Sequence, residues 1–348
     1  MNSLLMFIFS RMNAKQLLLS VLFLASLISI LLLLGCSSSY DVAPFANQTQ
    51  PRGVTEHSSI IFVSDTQSPL WIEKLKLKAD NNEKATQYIL RSIAQDATCT
   101  ALFHLGDITA LGSSQSYWGD FDTLSQEIRN AGIPIYPAFG NHEYMPFSGR
   151  GKENMIERFP FLAKQSWYTK RIGSVAIILL NSNFSELSDD EIASQTIWYE
   201  KTVKELEVDS SVSAIIIGCH HSPYTNSTIV TPSTDVQKMF VPAYIKSKKA
   251  KLFITGHAHA FEHFIINSKD FLIIGGGGGL LQPLLLGNNQ RWEDKFHGEV
   301  RRFFHFARIL PRHDALEIQI QKVNKDCTGL ETAYELNIPF GDKNAIIK

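Results

Sequence analysis

Five short polar segments of the sequence carry side chains that can bind metal ions, and each follows an apolar run. They span residues 65–67, 106–107, 140–143, 220–221 and 256–259. Carboxylate, amide and imidazole groups are common metal ligands, and glycine, present in the second, third and fifth segments, lets the backbone come close to a bound ion. The set predicts a single site for two metal ions.

Apolar runs of strand length alternate along the chain with stretches of helical periodicity at 82–95 and 189–206. In open α/β sheets, ligands bind beyond the carboxyl ends of the strands. We therefore expect an α/β fold in which the five segments meet at one end of one sheet. The clearest apolar runs lie at 60–63, 101–105, 175–180, 214–217 and 252–254.

The charge balance of the chain is nearly neutral. Lys and Arg number 33 against 34 Asp and Glu, for a formal net charge of −1. This balance argues against general electrostatic binding of nucleic acid, so no nucleic-acid partner is expected. Because the apolar runs are spread evenly from about residue 60 to 320, we expect one catalytic domain at 58–348.

The N-terminal residues resemble a bacterial lipoprotein signal peptide, expected at 1–35. An almost wholly apolar stretch at 17–34 follows Lys15, and Leu33-Leu34-Gly35-Cys36 resembles a lipobox. Residues 36–57 then read as a flexible tether. The alternative is an uncleaved membrane anchor, since about 20 apolar residues can span a bilayer. Either interpretation places the folded domain on the periplasmic side of a bacterial cell envelope. In the first case the protein is anchored to the membrane by a lipid on Cys36.

The order and the amino-acid sequences of the five segments resemble the motifs of the calcineurin-like metallophosphoesterases, and most closely those of the purple acid phosphatase branch. The resemblance extends over residues 60–320. It implies an αββα sandwich of two mixed sheets flanked by helices, with two metal ions bound. It also implies a small phosphorylated substrate.

The resemblance assigns a role to each polar residue of the segments. It implies that Asp107 bridges the two ions, that His142 is the catalytic histidine, and that Glu143 orients it. His221 is preferred to its neighbour His220 because residues 221–223 resemble the family's His-Ser-Pro segment, but His220 stays open as the alternative. The implied ligands are Asp65, Gln67 and His259 for the first metal and Asn141, His221 and His257 for the second.

Two positions depart from the family pattern. Gln67 stands where much of the wider family has histidine and the purple branch has glycine, and Ala110 stands where the purple enzymes have tyrosine. We therefore expect no iron tyrosinate. Carboxylate, amide and imidazole ligands suit manganese, zinc and iron equally, so the identity of the metals stays open.

The charge of such a site favours phosphate esters. Two divalent ions and two ionised aspartates leave a net charge of about +2. A metal pair can lower the pKa of a shared water, so metal-activated hydroxide is the expected nucleophile. His142 is then placed to protonate the leaving oxygen or to stabilise the transition state. We expect hydrolysis of phosphomonoesters or small phosphodiesters. The alternatives are a non-catalytic ligand-binding lipoprotein on the same fold and a nuclease of the superfamily.

Three other features of the sequence have ordinary structural explanations. His104 lies within an apolar strand and is expected to be a core histidine. The glycines at 275–279 are expected to let the backbone pass close to the metal centre. Arg301 and Arg302, with His305, could contact substrate phosphate or could simply be solvated charges on an edge strand.

Overall fold

Alternate side chains along the first strand, β1 (Ser59–Val63), face two different cores. Ile60 and Phe62 belong to one core, whereas Ile61 and Val63 belong to another. Successive side chains of a strand point to opposite faces of its sheet. The continuous apolar run of β1 therefore marks a strand that is buried on both sides.

The computed structural model describes residues 44–45, 51, 53–55, 57–75, 77–78 and 80–341. The predicted signal peptide and most of the predicted tether lie outside these residues and stay predictions. Among the described residues, no helix is both long and apolar enough to cross a membrane. Phe45, within the predicted tether, is buried and stacks on Phe159 with ring centroids 5.0 Å apart.

In the part of the chain that the structure describes, twelve strands form two six-stranded sheets. In chain order after β1 they are β2 (Cys99–His104), β3 (Ile135–Pro137), β4 (Tyr168–Ile172), β5 (Val175–Leu179), β6 (Ala214–Cys219), β7 (Ala250–Thr255), β8 (Phe261–Ile266), β9 (Lys269–Ile274), β10 (His305–Pro311), β11 (Ala315–Val323) and β12 (Leu330–Pro339). The first sheet has the order β12-β11-β10-β1-β2-β3, and the second has the order β4-β5-β6-β7-β9-β8. Both are mixed, because β1, β2 and β3 run parallel, as do β5, β6, β7 and β9, whereas β10 and β4 are antiparallel to their neighbours.

Seven α-helices accompany the strands within the described residues. They are α1 (Asn82–Gln95), α2 (Gln115–Leu124), α3 (Gln126–Asn130), α4 (Ser148–Arg158), α5 (Asp189–Val208), α6 (Thr234–Met239) and α7 (Val241–Lys246). The predicted helix 82–95 has the bounds of α1, and the predicted 189–206 lies within α5. Helix α5 begins with a capping box, in which Ser188 Oγ accepts from the Glu191 N–H and Glu191 Oε2 accepts from the Ser188 N–H.

The two sheets pack face to face with helices on both outer sides. Phe62 and Phe103 of the first sheet share one core with Ile177 and Ile216 of the second. Side chains of α1 and α2 cover the outer face of the first sheet, and those of α5 and α7 cover the outer face of the second. The predicted αββα sandwich of two mixed sheets is confirmed.

Candidate metal centre

The five polar segments meet between the carboxyl ends of both sheets, not at one sheet alone as the sequence predicts. The His220 ring, after β6, contacts the Leu105 carbonyl, after β2, with 2.9 Å from Nδ1 to O. The backbone N–H of His257, after β7, donates to Asp65 Oδ2, after β1, at 3.0 Å. The carboxyl ends of the parallel strands of both sheets therefore face the same site.

Three of the predicted ligands have left-handed backbone conformations. The φ angles are 59° at Asp65, 53° at Asp107 and 65° at His257. This region is sparsely populated by residues other than glycine, and such strain concentrates at functional sites, where the surrounding structure enforces it. The loops after β1, β2 and β7 are therefore bent to direct these side chains inward.

Two glycines of the segments are required by close packing. A Cβ at Gly140 would collide with the carboxylate and amide of Asp107, and a Cβ at Gly256 would collide with Ser64 Oγ and the Asp65 carboxylate. No other residue fits without moving a carboxylate of the site. The glycine-rich segment 275–279 also passes against the centre, since the Gly279 N–H donates to the Asp65 carbonyl at 2.8 Å.

The first set of donors comprises Asp65, Gln67, Asp107 and His259. His259 Nε2 lies 3.3 Å from Asp65 Oδ1. In the orientation that satisfies both ends of the Gln67 amide, its nitrogen donates to the carbonyls of Asp107 and Asp65 at 3.0 and 3.2 Å, and its oxygen lies 3.3 Å from His259 Nε2. The amide oxygen is thereby turned toward the other donors, as a metal ligand must be.

The second set of donors comprises Asp107, Asn141, His220 and His257. His220 Nε2 lies 3.1 Å from Asn141 Oδ1, 3.1 Å from His257 Nδ1 and 3.3 Å from Asp107 Oδ2. The potential ligand atoms of Asp65, Asp107 and His220 all lie within 4.8 Å of one another. Asp107 therefore belongs to both sets.

The structure places His220, not the preferred His221, against the Asp107 carboxylate. His221 Nδ1 instead contacts Ser182 Oγ at 2.9 Å, and the same oxygen accepts the His221 backbone N–H at 2.9 Å. His221 still lies near the second set, because its ligand atom is within 4.8 Å of those of His220 and His257. Ser182 carries no metal-binding signal in the sequence, and nothing in the sequence distinguishes two adjacent histidines.

One histidine of each set, His220 and His259, has the outer partner that metal ligands usually have. The Nδ1 of His220 and the Nδ1 of His259 each contact a backbone carbonyl at 2.9 Å, that of Leu105 and that of Leu280. A carbonyl only accepts, so these nitrogens carry the hydrogen when the ring is neutral, and Nε2 presents its lone pair to the site. Ligating histidines almost always have such a partner. The residues present therefore fit two divalent cations that share Asp107.

The buried carboxylates attract positive charge to this place. Burial by itself would raise the pKa of Asp107, but the neighbouring His220 and His142 hold it well below its usual range. Burial likewise opposes a charge on His220, yet Asp107 and Asp65 raise its pKa to about 9. A carboxylate that stays ionised without solvent needs a cation beside it.

His142 lies beside the donors and is anchored by a backbone carbonyl. Its Nδ1 contacts the Ala110 oxygen at 2.7 Å, so Nδ1 carries a hydrogen. Its backbone N–H donates to Asp107 Oδ1 at 2.9 Å, and its Nε2 lies 3.9 Å from Asp107 Oδ2. The side chain is 12% exposed, so Nε2 can reach a molecule that enters the site.

The carboxylate of Glu143, which is predicted to orient His142, is engaged by backbone N–H groups. The Glu143 carboxylate accepts the backbone N–H groups of Asp107 at 2.8 Å, Ile108 at 2.7 Å and Gly140 at 2.7 Å. No hydrogen bond joins it to the His142 ring within the described part of the chain. Burial and the charge of Asp107 raise the pKa of Glu143 to about 7. Glu143 therefore shapes the loops after β2 and β3, and the Ala110 carbonyl orients His142.

The remaining polar features lie in structural contacts. His104 is buried and contacts Thr66 Oγ1 at 2.9 Å through Nε2. Arg301 pairs with Asp294 at 2.8 Å, and His305 is buried with its Nδ1 2.8 Å from the Phe303 carbonyl. These contacts give Arg301 and His305 structural partners of their own, so we assign neither a role at the centre.

Residues 58–261, more than half of the chain, match the family model for calcineurin-like phosphoesterases. The chain belongs to the calcineurin-like phosphoesterase family. The family predicted from the five segments is thus confirmed. No curated protein matches the chain in sequence.

Solved structures share the fold of this chain at low sequence identity. Purple acid phosphatase PPD1 from yellow lupin (Lupinus luteus) seeds superposes with a TM-score of 0.59 at 17% identity, over 81% of this chain and 53% of the lupin chain. GAP50, the anchor in the inner membrane complex of Plasmodium, gives 0.58 at 12% identity, over 82% and 90%. A dimetal phosphatase from Danio rerio gives 0.56 at 11% identity, over 82% and 99%. The chain spans about half the length of the lupin protein.

Proposed function

We propose that the protein is a bimetal-dependent phosphoesterase that hydrolyses phosphomonoesters or small phosphodiesters. The observation that carries the proposal is the pair of donor sets that share Asp107. His220 Nε2 and the Gln67 amide each lie within 3.5 Å of Asp107 Oδ2, one from each set. Buried carboxylates, amides and imidazoles that converge in this way suit two divalent ions better than any other ligand.

We assign the first metal to Asp65, Gln67, Asp107 and His259. We assign the second metal to Asp107, Asn141, His220 and His257, so that His220 replaces His221 as the proposed ligand. Each group offers a lone pair on oxygen or nitrogen, and none is a thiolate. Manganese, zinc and iron are all compatible with this set.

The residues around the metals would have separate roles in hydrolysis. When bound, two divalent ions lower the pKa of a water and stabilise charge on the phosphoryl oxygens. The Ala110 carbonyl fixes the hydrogen of His142 on Nδ1, so Nε2 is the atom that must hold and deliver a proton to the leaving oxygen. Glu143 holds the backbone of Asp107 and Gly140 in place.

A metal analysis combined with a substrate screen tests the proposal. We expect about two metal ions per chain, turnover of p-nitrophenyl phosphate or its bis-ester, loss of turnover after chelation, and recovery when manganese, zinc or iron is returned. Bound metal without turnover of any ester would support the non-catalytic lipoprotein instead. Cleavage of DNA or RNA in preference to small esters would support the nuclease.

Two single variants distinguish the adjacent histidines. We expect His220→Ala to lose one metal equivalent, because it removes the nitrogen that meets Asp107, Asn141 and His257. The loss of affinity should exceed the roughly 10- to 100-fold effect of removing an outer hydrogen-bond partner. His221→Ala is the matched control and should keep both metals when measured by elemental analysis of the dialysed proteins. The reverse result would restore the assignment to His221.

A further inference from the structure

A cavity of about 240 Å³ opens beside the second set of donors. The metal-site residue Asn141 forms part of its wall, and so does His221, whose ring centroid lies 4.5 Å from that of His257. A molecule in this cavity therefore lies next to the centre where the ester would be cut. The rest of the wall comes from the loop after β5 and the start of α6 and includes Ser182, Phe184, Glu186, Ser233 and Asp235.

His221 presents an unused polar atom at the wall of the cavity. Its Nδ1 is engaged by Ser182 Oγ at 2.9 Å. Its Nε2 has no hydrogen-bond partner among the residues that the structure describes, and the residue is partly exposed. The ring is therefore poised to bind a polar group of a molecule in the cavity.

The charged side chains of the cavity wall are both acidic. Glu186 and Asp235 line the cavity, and no Lys or Arg does so among the described residues. Within the same part of the chain, neither carboxylate has an ion-pair or side-chain hydrogen-bond partner. Their negative charge is thus not compensated by the protein and acts on whatever enters the cavity.

An aromatic ring lies in the same wall. Phe184 is half-buried and packs on Phe240 with ring centroids 5.4 Å apart and planes tilted by 42°. Packing on Phe240 fixes the position of the ring, and the face of a fixed aromatic ring attracts cations. Carboxylates and an aromatic face together favour an organic cation and disfavour a second anionic group.

We propose that this cavity binds the leaving group of the ester and selects leaving groups that carry an ammonium group over those that carry a further anion. Phosphate esters of amino alcohols are the substrate class that fits. The inference rests on the proposed phosphoesterase function, since it concerns the same site. The inference adds a preference for cationic leaving groups, which the two donor sets by themselves do not explain.

Three small esters of similar size test the preference in the metal-loaded protein. Ethanolamine phosphate has a cationic leaving group, glycerol 1-phosphate a neutral one and 3-phosphoglycerate an anionic one. We expect kcat/KM to fall in that order. The ratio between the first and the last should drop about 5-fold in Glu186→Gln or Asp235→Asn and about 25-fold in the double variant, because each exposed charge acts modestly and the effects add. Asp190→Asn, an exposed carboxylate outside the cavity wall, should leave the ratio unchanged.

Binding of choline to the zinc-loaded protein provides a readout that needs no turnover. We expect saturation-transfer NMR signals from choline but not from glycerate, and we expect the choline signal to weaken in the double variant. Choline binding without hydrolysis of any ester would overturn the proposed function and leave the cavity's preference standing. Hydrolysis of all three esters at equal kcat/KM, or a choline signal that the double variant does not change, would overturn the preference alone.

Discussion

The Asp107→Asn variant should bind at least one metal ion fewer than the two expected, and its turnover should fall more than about 1,000-fold. The protein should stay folded. The carboxylate lies 3.3 Å from His220 Nε2 and belongs to both donor sets, so the amide removes the one negative charge that the two ions would share. Metal ions supply several kcal/mol of transition-state stabilisation, and about 1.4 kcal/mol corresponds to tenfold in rate. Elemental analysis and turnover of a nitrophenyl ester measure the two losses.

The fold should survive this substitution for a local reason. Asparagine has nearly the same shape as aspartate and is among the residues that best tolerate the left-handed conformation found here, with φ at 53°. Its side-chain oxygen can still accept the His142 N–H, which the carboxylate does now at 2.9 Å. Asp190→Asn serves as the control for loss of one negative charge. Ordinary turnover with both metals retained would refute the bridging assignment.

His142→Ala should slow an alkyl phosphate ester about 100- to 10,000-fold, the usual range for general acid catalysis, and a nitrophenyl ester far less. An alkoxide leaves poorly without a proton, whereas a nitrophenolate is stable enough to depart almost unaided. The ring is placed for this role because Ala110 holds its Nδ1 and its Nε2 lies 3.9 Å from Asp107 Oδ2, at the edge of the centre. Steady-state rates with the two esters give the comparison.

Both metals should remain bound in this variant, since His142 belongs to neither donor set. His313→Ala is a matched control, because His313 is exposed in the turn between β10 and β11, at the edge opposite the site. If both esters slow by the same factor while the metals are retained, His142 acts on the phosphoryl group or on its position. The role of proton donor would then have to be abandoned.

The sequence by itself determined the architecture and the approximate place of the site. Apolar runs such as 60–63 and 214–217 predict strands because their period and length are local properties of the chain, and β1 and β6 form there. Helix α1 has the predicted bounds because its apolar positions recur at helical spacing. The order of the five polar segments then indicates the family, which the match over residues 58–261 confirms.

The tertiary structure decided which atoms face one another. The preference for His221 came from the sequence of residues 221–223. In the structure, His220 is the residue whose Nε2 lies 3.1 Å from Asn141 Oδ1, although the two residues are 79 positions apart in the sequence. Glu143 adjoins His142 in sequence, yet it binds the backbone of residues 107–108 and 140.

The physical reason is that neighbouring side chains leave the backbone in different directions. After a strand ends, the backbone conformation of the loop sets which side chain turns inward, and Asp65, Asp107 and His257 have left-handed φ angles there. That conformation is set by contacts between segments from two sheets, among them the hydrogen bond from the His257 N–H to Asp65. Local sequence fixes where a loop begins, but only the packing of distant loops against one another fixes which donor atoms meet in the site.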